Sequence, residues 1–137
     1  MFELTIKSEV YPFNFGIGFV RDIGKTKQMK NEDGIIVDIG LQYAVASLVD
    51  EDPLDVIEIL YLANKTEKPR VNKKDLEEYL QDEDTDLEQL CKDILDFFIS
   101  HNATRKKALA ALEWANFQKE KIEKEKAMMY AGTDKTE

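Results

Sequence analysis

The stretch TDLEQLCKDILDFFIS, residues 85–100, decides the fold class. Leu87, Leu90, Cys91, Ile94, Leu95 and Phe98 recur in it at steps of three and four, which places them on one face of an α-helix. Thr85 and Glu88 have the spacing of a capping box, so the helix is expected to start between them. Each of these side chains contributes about 1.5 to 3 kcal/mol if fully buried, so this face is expected to anchor the core. Cys91 lies inside the stripe and reads as a small apolar core residue rather than a reactive thiol.

Reading toward the N-terminus, Leu76, Tyr79 and Leu80 mark a short helix over 73–81, and Pro69 ends the linker before it. Pro53 suits the first position of a helix with LDVIEILYLAN. Gly40 opens a buried helix, LQYAVASLV, which Asp50, Glu51 and Asp52 close. These two short helices form a helical hairpin. Ile35, Ile36 and Val37 make a run too short for periodicity to classify, either a third strand or the apolar lead into a helix. The polar stretch from Lys27 to Gly34 reads as a loop, and Phe19, Val20 and Ile23 predict a short helix over 17–26. At the start, Phe2, Leu4 and Ile6 alternate with polar residues, and Val10, Tyr11, Phe13 and Phe15 form a second extended run. Together they predict a β-hairpin whose second strand, holding Pro12, sits at an edge.

Toward the C-terminus, Asn102 or Thr104 can cap a helix that contains Leu109, Leu112, Trp114, Ala115 and Phe117. Arg105, Lys106 and Lys107 then stand at the positive end of its dipole, and contact with Asp93 or Asp96 is expected to offset them. Beyond Phe117 the composition turns to QKEKIEKEK. There Lys119 with Glu123, Glu120 with Lys124 and Lys121 with Glu125 fall four apart, each pair supporting an exposed helix by about 0.2 to 0.5 kcal/mol. The resulting expectation is an α+β chain, predominantly α-helical, with a small N-terminal β-hairpin followed by about five or six helices. Residues 1–117 are expected to form a single globular domain, and 118–137 a charged, partly frayed helix and tail.

The 137 residues, 43% of them hydrophobic, fit one core. A net charge of -9 disfavours nucleic acid and anionic lipid as partners. The lone cysteine rules out an intramolecular disulfide, and MFELTIKSEV is neither signal peptide nor membrane span, so a cytoplasmic protein is expected. Asn64-Lys65-Thr66 and Asn102-Ala103-Thr104 match the glycosylation pattern by chance on this reading. Gly18, Gly24, Lys25 and Thr26 imitate a phosphate-binding loop, but five residues separate the glycines where four are required. Asp82, Asp84, Asp86 and Asp93 take places of a calcium loop in which Leu87 replaces the necessary glycine, so no metal is expected. His101 is the sole histidine and no nucleophile has a recognisable base, so neither catalytic residues nor a cofactor are expected.

The segments MFELTIKSEVYPFNFGIGFVRDI, GLQYAVASLVDEDPLDVIEILYLAN and PRVNKKDLEEYLQDEDTDLEQLCKDILDFF together resemble a tail assembly chaperone of long-tailed phages and prophages of Gram-positive bacteria. The likeness extends to about Asn102. It implies a protein made in the bacterial host's cytoplasm and absent from the mature virion. Such a protein binds and solubilises the helical, hydrophobic tape measure protein and promotes assembly of the tail tube protein around it. In that family a translational frameshift commonly adds a longer product, and this chain resembles the shorter form. The resemblance transfers no catalytic residue. From the residues themselves, Trp114, Phe117, Ile122, Met128, Met129 and Tyr130 are the expected partner-binding set, since aromatic and methionine side chains suit varied apolar clients. The competing reading of Trp114 and Phe117 is that they close the core. The alternative function is a self-associating structural or regulatory module, weakly paired through the strand from Val10 to Phe15.

Overall fold

The computed structural model describes residues 1–134, with side chains as far as residue 129. An antiparallel hairpin of β1 (Phe2–Ile6) and β2 (Glu9–Phe13) comes first, in the register Phe2 with Phe13 and Leu4 with Tyr11. Lys7 and Ser8 make its two-residue turn, both at positive φ (53° and 68°), the handedness that matches strand twist. Then follow α1 (Ile17–Gly24), a second small hairpin of β3 (Gln28–Lys30) and β4 (Ile36–Asp38), α2 (Gly40–Asp50), α3 (Pro53–Asn64), α4 (Lys73–Gln81), α5 (Leu87–Ser100) and α6 (Arg105–Asp134). The chain is thus α+β and predominantly helical. No described helix is long and apolar enough to cross a membrane.

The second hairpin corrects the expectation of a plain loop over 27–34 and decides the open reading of Ile35 to Val37 in favour of a strand. Its turn was readable. Asn31 Oδ1 accepts from the amides of Asp33 and Ile35, both at 3.0 Å, and Gly34 takes a φ of 78°. What hid the strands is that every residue in them is exposed, so no alternation of buried and solvated positions marks them.

The core forms where the first hairpin lies against α1, α3 and α5. Phe15 is its aromatic centre, with ring centroids 5.0 Å from Phe19, 5.1 Å from Phe98, 5.4 Å from Phe97 and 5.7 Å from Phe2. Leu90, Cys91, Ile94 and Phe98 of α5 are buried and Leu87 and Leu95 half-buried, as the stripe requires. The capping box is not formed: Asp86 caps α5 by accepting from the Gln89 amide at 3.0 Å, while the Thr85 hydroxyl donates to the Tyr79 carbonyl. Asp52 and Asn72 cap α3 and α4 in the same way, with Pro53 at the start of α3.

Two contacts fix the helices closely. A Cβ on Gly40 would lie 1.6 Å from the Ile23 carbonyl oxygen, so α2 can begin against the end of α1 only with glycine there. At the end of α3 the fully buried Asn64 side chain donates to the Pro12 carbonyl (2.9 Å) and the Pro69 carbonyl (3.0 Å), and accepts from the Val71 amide (2.7 Å). Outside the core, Lys7 bridges to Asp75 and Glu78 of α4, and these hydrogen-bonded carboxylates raise its pKa.

The corner into α6 is also built differently from expectation. Thr104 occupies the cap position, since its carbonyl accepts from the Ala108 amide. Its buried hydroxyl, however, donates to the Phe98 carbonyl at 2.6 Å instead of accepting from an amide. Arg105 does not reach Asp93 or Asp96. Its guanidinium donates to the carbonyls of Ile99 (3.0 Å) and Ser100 (2.9 Å), where the negative end of the α5 dipole offsets its charge.

Replacing Asn64 by alanine orphans two carbonyls and one amide, and a loss of about 3 kcal/mol in urea-unfolding free energy is expected. Asn64→Asp places a carboxylate against two carbonyl oxygens, so its deficit should be larger at pH 7 than at pH 4. Burial, with the charge of Glu51 adding to it, pushes the Cys91 thiol from its ordinary value of 9.0 up to about 11. The folded state therefore holds the thiol proton through that interval. Wild-type stability should fall from about pH 9 to 11 more steeply than that of Cys91→Ala, with no difference below pH 8.

Candidate functional site

The longest helix, α6, crosses α2 and α5 near its start and then runs on; at 1.5 Å per residue it is about 45 Å long. Ala108 is buried and Ala111 and Leu112 are half-buried, while every described side chain from Lys119 to Met129 is exposed. Where α6 passes α2 and the second hairpin, a groove of about 710 Å³ opens. Its size comes from side-chain choice: Ala46 of α2 faces Ala110, Ala111 and Ala115 of α6, and the missing volume is not filled from elsewhere. Tyr43, Trp114, Met29 and Ile39 also line it.

Trp114 is 65% exposed and Phe117 61%, so neither closes the core. A largely exposed indole beside a tyrosine, lining alanines and a methionine offers what an apolar side chain needs in order to leave water. The polar groups on the wall are Gln42, the Tyr43 hydroxyl and the Lys107 ammonium. The exposed apolar surface continues beyond the groove onto the second hairpin through Ile35, Ile36 and Val37. Exposed apolar residues gathered in this way make the groove the candidate contact surface of the chain. Among the described residues no group of three or more histidine, cysteine, aspartate or glutamate side chains is placed to hold a metal.

Of the six residues expected from sequence, Trp114 lies in the groove. Phe117 and Met128 line a second hollow on the outer half of α6, with Lys121 and Lys124 between them. Ile122 and Met129 are exposed but lie roughly 100° round the helix from that line, at 3.6 residues per turn. The side chain of Tyr130 lies outside the described residues. The other wall of the groove, Met29, Ile39, Tyr43 and Ala46, escaped the sequence reading. Met29 sat in the presumed loop, and Tyr43 was counted with the buried helix, although its ring is 53% exposed. The solvent-facing Ile35-Ile36-Val37 run was the available signal.

The family model described as phage tail assembly chaperone protein, TAC, matches residues 3–113. The chain belongs to this chaperone family. The match takes in both hairpins, the first five helices and the groove half of α6 as far as Glu113, one residue short of Trp114. No curated protein and no solved structure matches the chain significantly.

The single tryptophan gives this chaperone a built-in reporter. Trp114 fluorescence should resemble that of free indole in water and be readily quenched by acrylamide in the folded protein. Trp114→Ala should leave the unfolding free energy within about 0.5 kcal/mol of wild type, as expected of an exposed position. A blue-shifted, protected emission would mean that the groove is closed in solution.

Proposed function

We propose that this chaperone holds an apolar helical segment of the tape measure protein in the groove between α2, α6 and the second hairpin. It thereby keeps that long protein soluble until the tail tube protein assembles around it. The observation that carries the reading is the open apolar groove, with Trp114 exposed on its wall, in a chain of the tail assembly chaperone family. Amphipathic helices seat in such grooves through side chains spaced at three and four residues. The excess of acidic charge keeps the remaining surface in water and away from nucleic acid and anionic membranes. The role is non-enzymatic and uses no cofactor. It is carried out in the host cytoplasm, and the chaperone leaves before the virion is complete. Residues 1–117 then act as the folded body and 118–137 as a projecting arm that meets the client or the tube protein.

Self-association through the edge of β2 is the competing reading, and the geometry at that edge favours it less. Pro12 has no amide to donate and its carbonyl is taken by Asn64, while the Asn14 amide donates to Ala63 at 2.8 Å.

Co-expression with a tape measure protein from the same phage or prophage tests the proposal. Wild type should raise the soluble fraction of the client and co-elute with it, and Tyr43→Ala combined with Trp114→Ala should abolish both while remaining folded. A client that stays insoluble beside folded wild-type chain, or that binds the double variant equally well, overturns the groove assignment.

A further inference from the structure

On α6, Ala110, Trp114, Phe117, Lys121, Lys124 and Met128 follow one another at alternating steps of four and three. This is the spacing of a coiled-coil seam, the line along which a second helix packs. Ala110 and Trp114 line the groove, and the other four line the hollow of about 310 Å³ beyond it, with Glu120 and Glu125 at its sides. The two hollows flank successive stretches of this one line on α6, a track that runs about 27 Å from Ala110 to Met128, enough for two and a half heptads of a partner helix.

The lysines say what that helix must carry. Lys121 and Lys124 stand on the seam itself, and among the described residues no carboxylate, Glu120 and Glu125 included, lies within 4 Å of either ammonium. A second copy of this chain fits the track poorly, because parallel α6 helices would set each lysine against its own counterpart, and antiparallel helices centred there would also bring lysines together. The charge of the chain is polarised in the same sense. Residues 1–104 contain 22 acidic and 11 basic side chains, whereas 105–134 contain five and seven. An acidic ligand is repelled by the body and accepted by α6.

Resting on the reading that the groove takes a client helix, we propose that the segment recognised is an amphipathic helix of alternating character. Apolar side chains face Ala110, Trp114 and Phe117, acidic side chains face Lys121 and Lys124, and a further apolar side chain faces Met128. The apolar groove supplies affinity. The two lysines set register and reject helices that are apolar throughout or basic at that level.

The test uses labelled helical peptides of about 25 residues, with identical apolar seam positions and either two glutamates or two lysines at the central seam sites. Each is made in both chain directions, and binding to the full chain is read by fluorescence anisotropy. In one direction the glutamate peptide should bind wild type about tenfold more tightly than the lysine peptide at low salt, the gap narrowing as salt rises. The variant Lys121→Glu with Lys124→Glu, its helix content compared with wild type by circular dichroism because it sets Glu120 and Glu125 against like charges, should reverse the preference, and Lys121→Gln with Lys124→Gln should abolish it. Equal binding of both peptides overturns the charge assignment while leaving the groove reading intact. Failure of every peptide to bind, where the full tape measure protein still co-elutes, removes the groove as the helix site and the proposal with it. Concentration-dependent dimerisation of wild type that the double variant changes would assign the track to a second copy instead.

Discussion

The carboxamide of Asn64 is the joint on which the fold turns. It closes three hydrogen bonds to backbone groups from β2, from the Pro69 turn and from the approach to α4, and it does so with no access to water. A buried polar group is costly unless fully satisfied, so the arrangement is nearly all-or-none: the hairpin, the end of α3 and the start of α4 reach their places together. Apolar contacts supply most of the stabilisation, but they are tolerant of sliding. The directional bonds of Asn64 select one arrangement among those the aromatic cluster around Phe15 would otherwise accept.

That selection propagates to the groove. With the hairpin fixed on α3, Phe15 meets Phe97 and Phe98, which sets α5; the Thr104 hydroxyl on the Phe98 carbonyl and the Arg105 guanidinium on the last carbonyls of α5 then set the angle at which α6 departs. Gly40 admits α2 close against α1 on the opposite side. The groove is the space left between two helices whose positions are dictated elsewhere, and its alanines keep it empty. Asn64, Phe15, Gly40, Thr104 and Arg105, which set these positions, all lie outside the groove lining.

Much of this was legible in the sequence, because helices with one buried face and polar caps announce themselves by periodicity. The α5 stripe, the Pro53 start of α3, the range of α4 and the first hairpin follow from spacing alone. The failures share a physical cause. Asn64 looked like an ordinary polar residue near a helix end, since nothing in one dimension says that two distant carbonyls will arrive beside it. The second hairpin shows no buried face, so it lacked the alternation by which strands are found. Asp86 outcompeted Thr85 as a cap because Thr85 has a carbonyl partner six residues back. Periodicity set Trp114 and Phe117 on the last helix, but only the crossing of α2 and α6 could show that one lies in a groove and the other on the arm beyond it.

The burial of Asn64 also bears on where this chain can be produced. Asn64-Lys65-Thr66 is an acceptor sequence for oligosaccharide transfer, and in a eukaryotic secretory pathway transfer acts on the chain as it emerges, before the amide is enclosed. A glycan there would consume the very nitrogen that bonds Pro12 and Pro69 and would occupy space the core leaves no room for. Production by secretion from such cells would therefore yield modified, unfolded chain, whereas synthesis in a compartment without the transferase leaves the joint free to close.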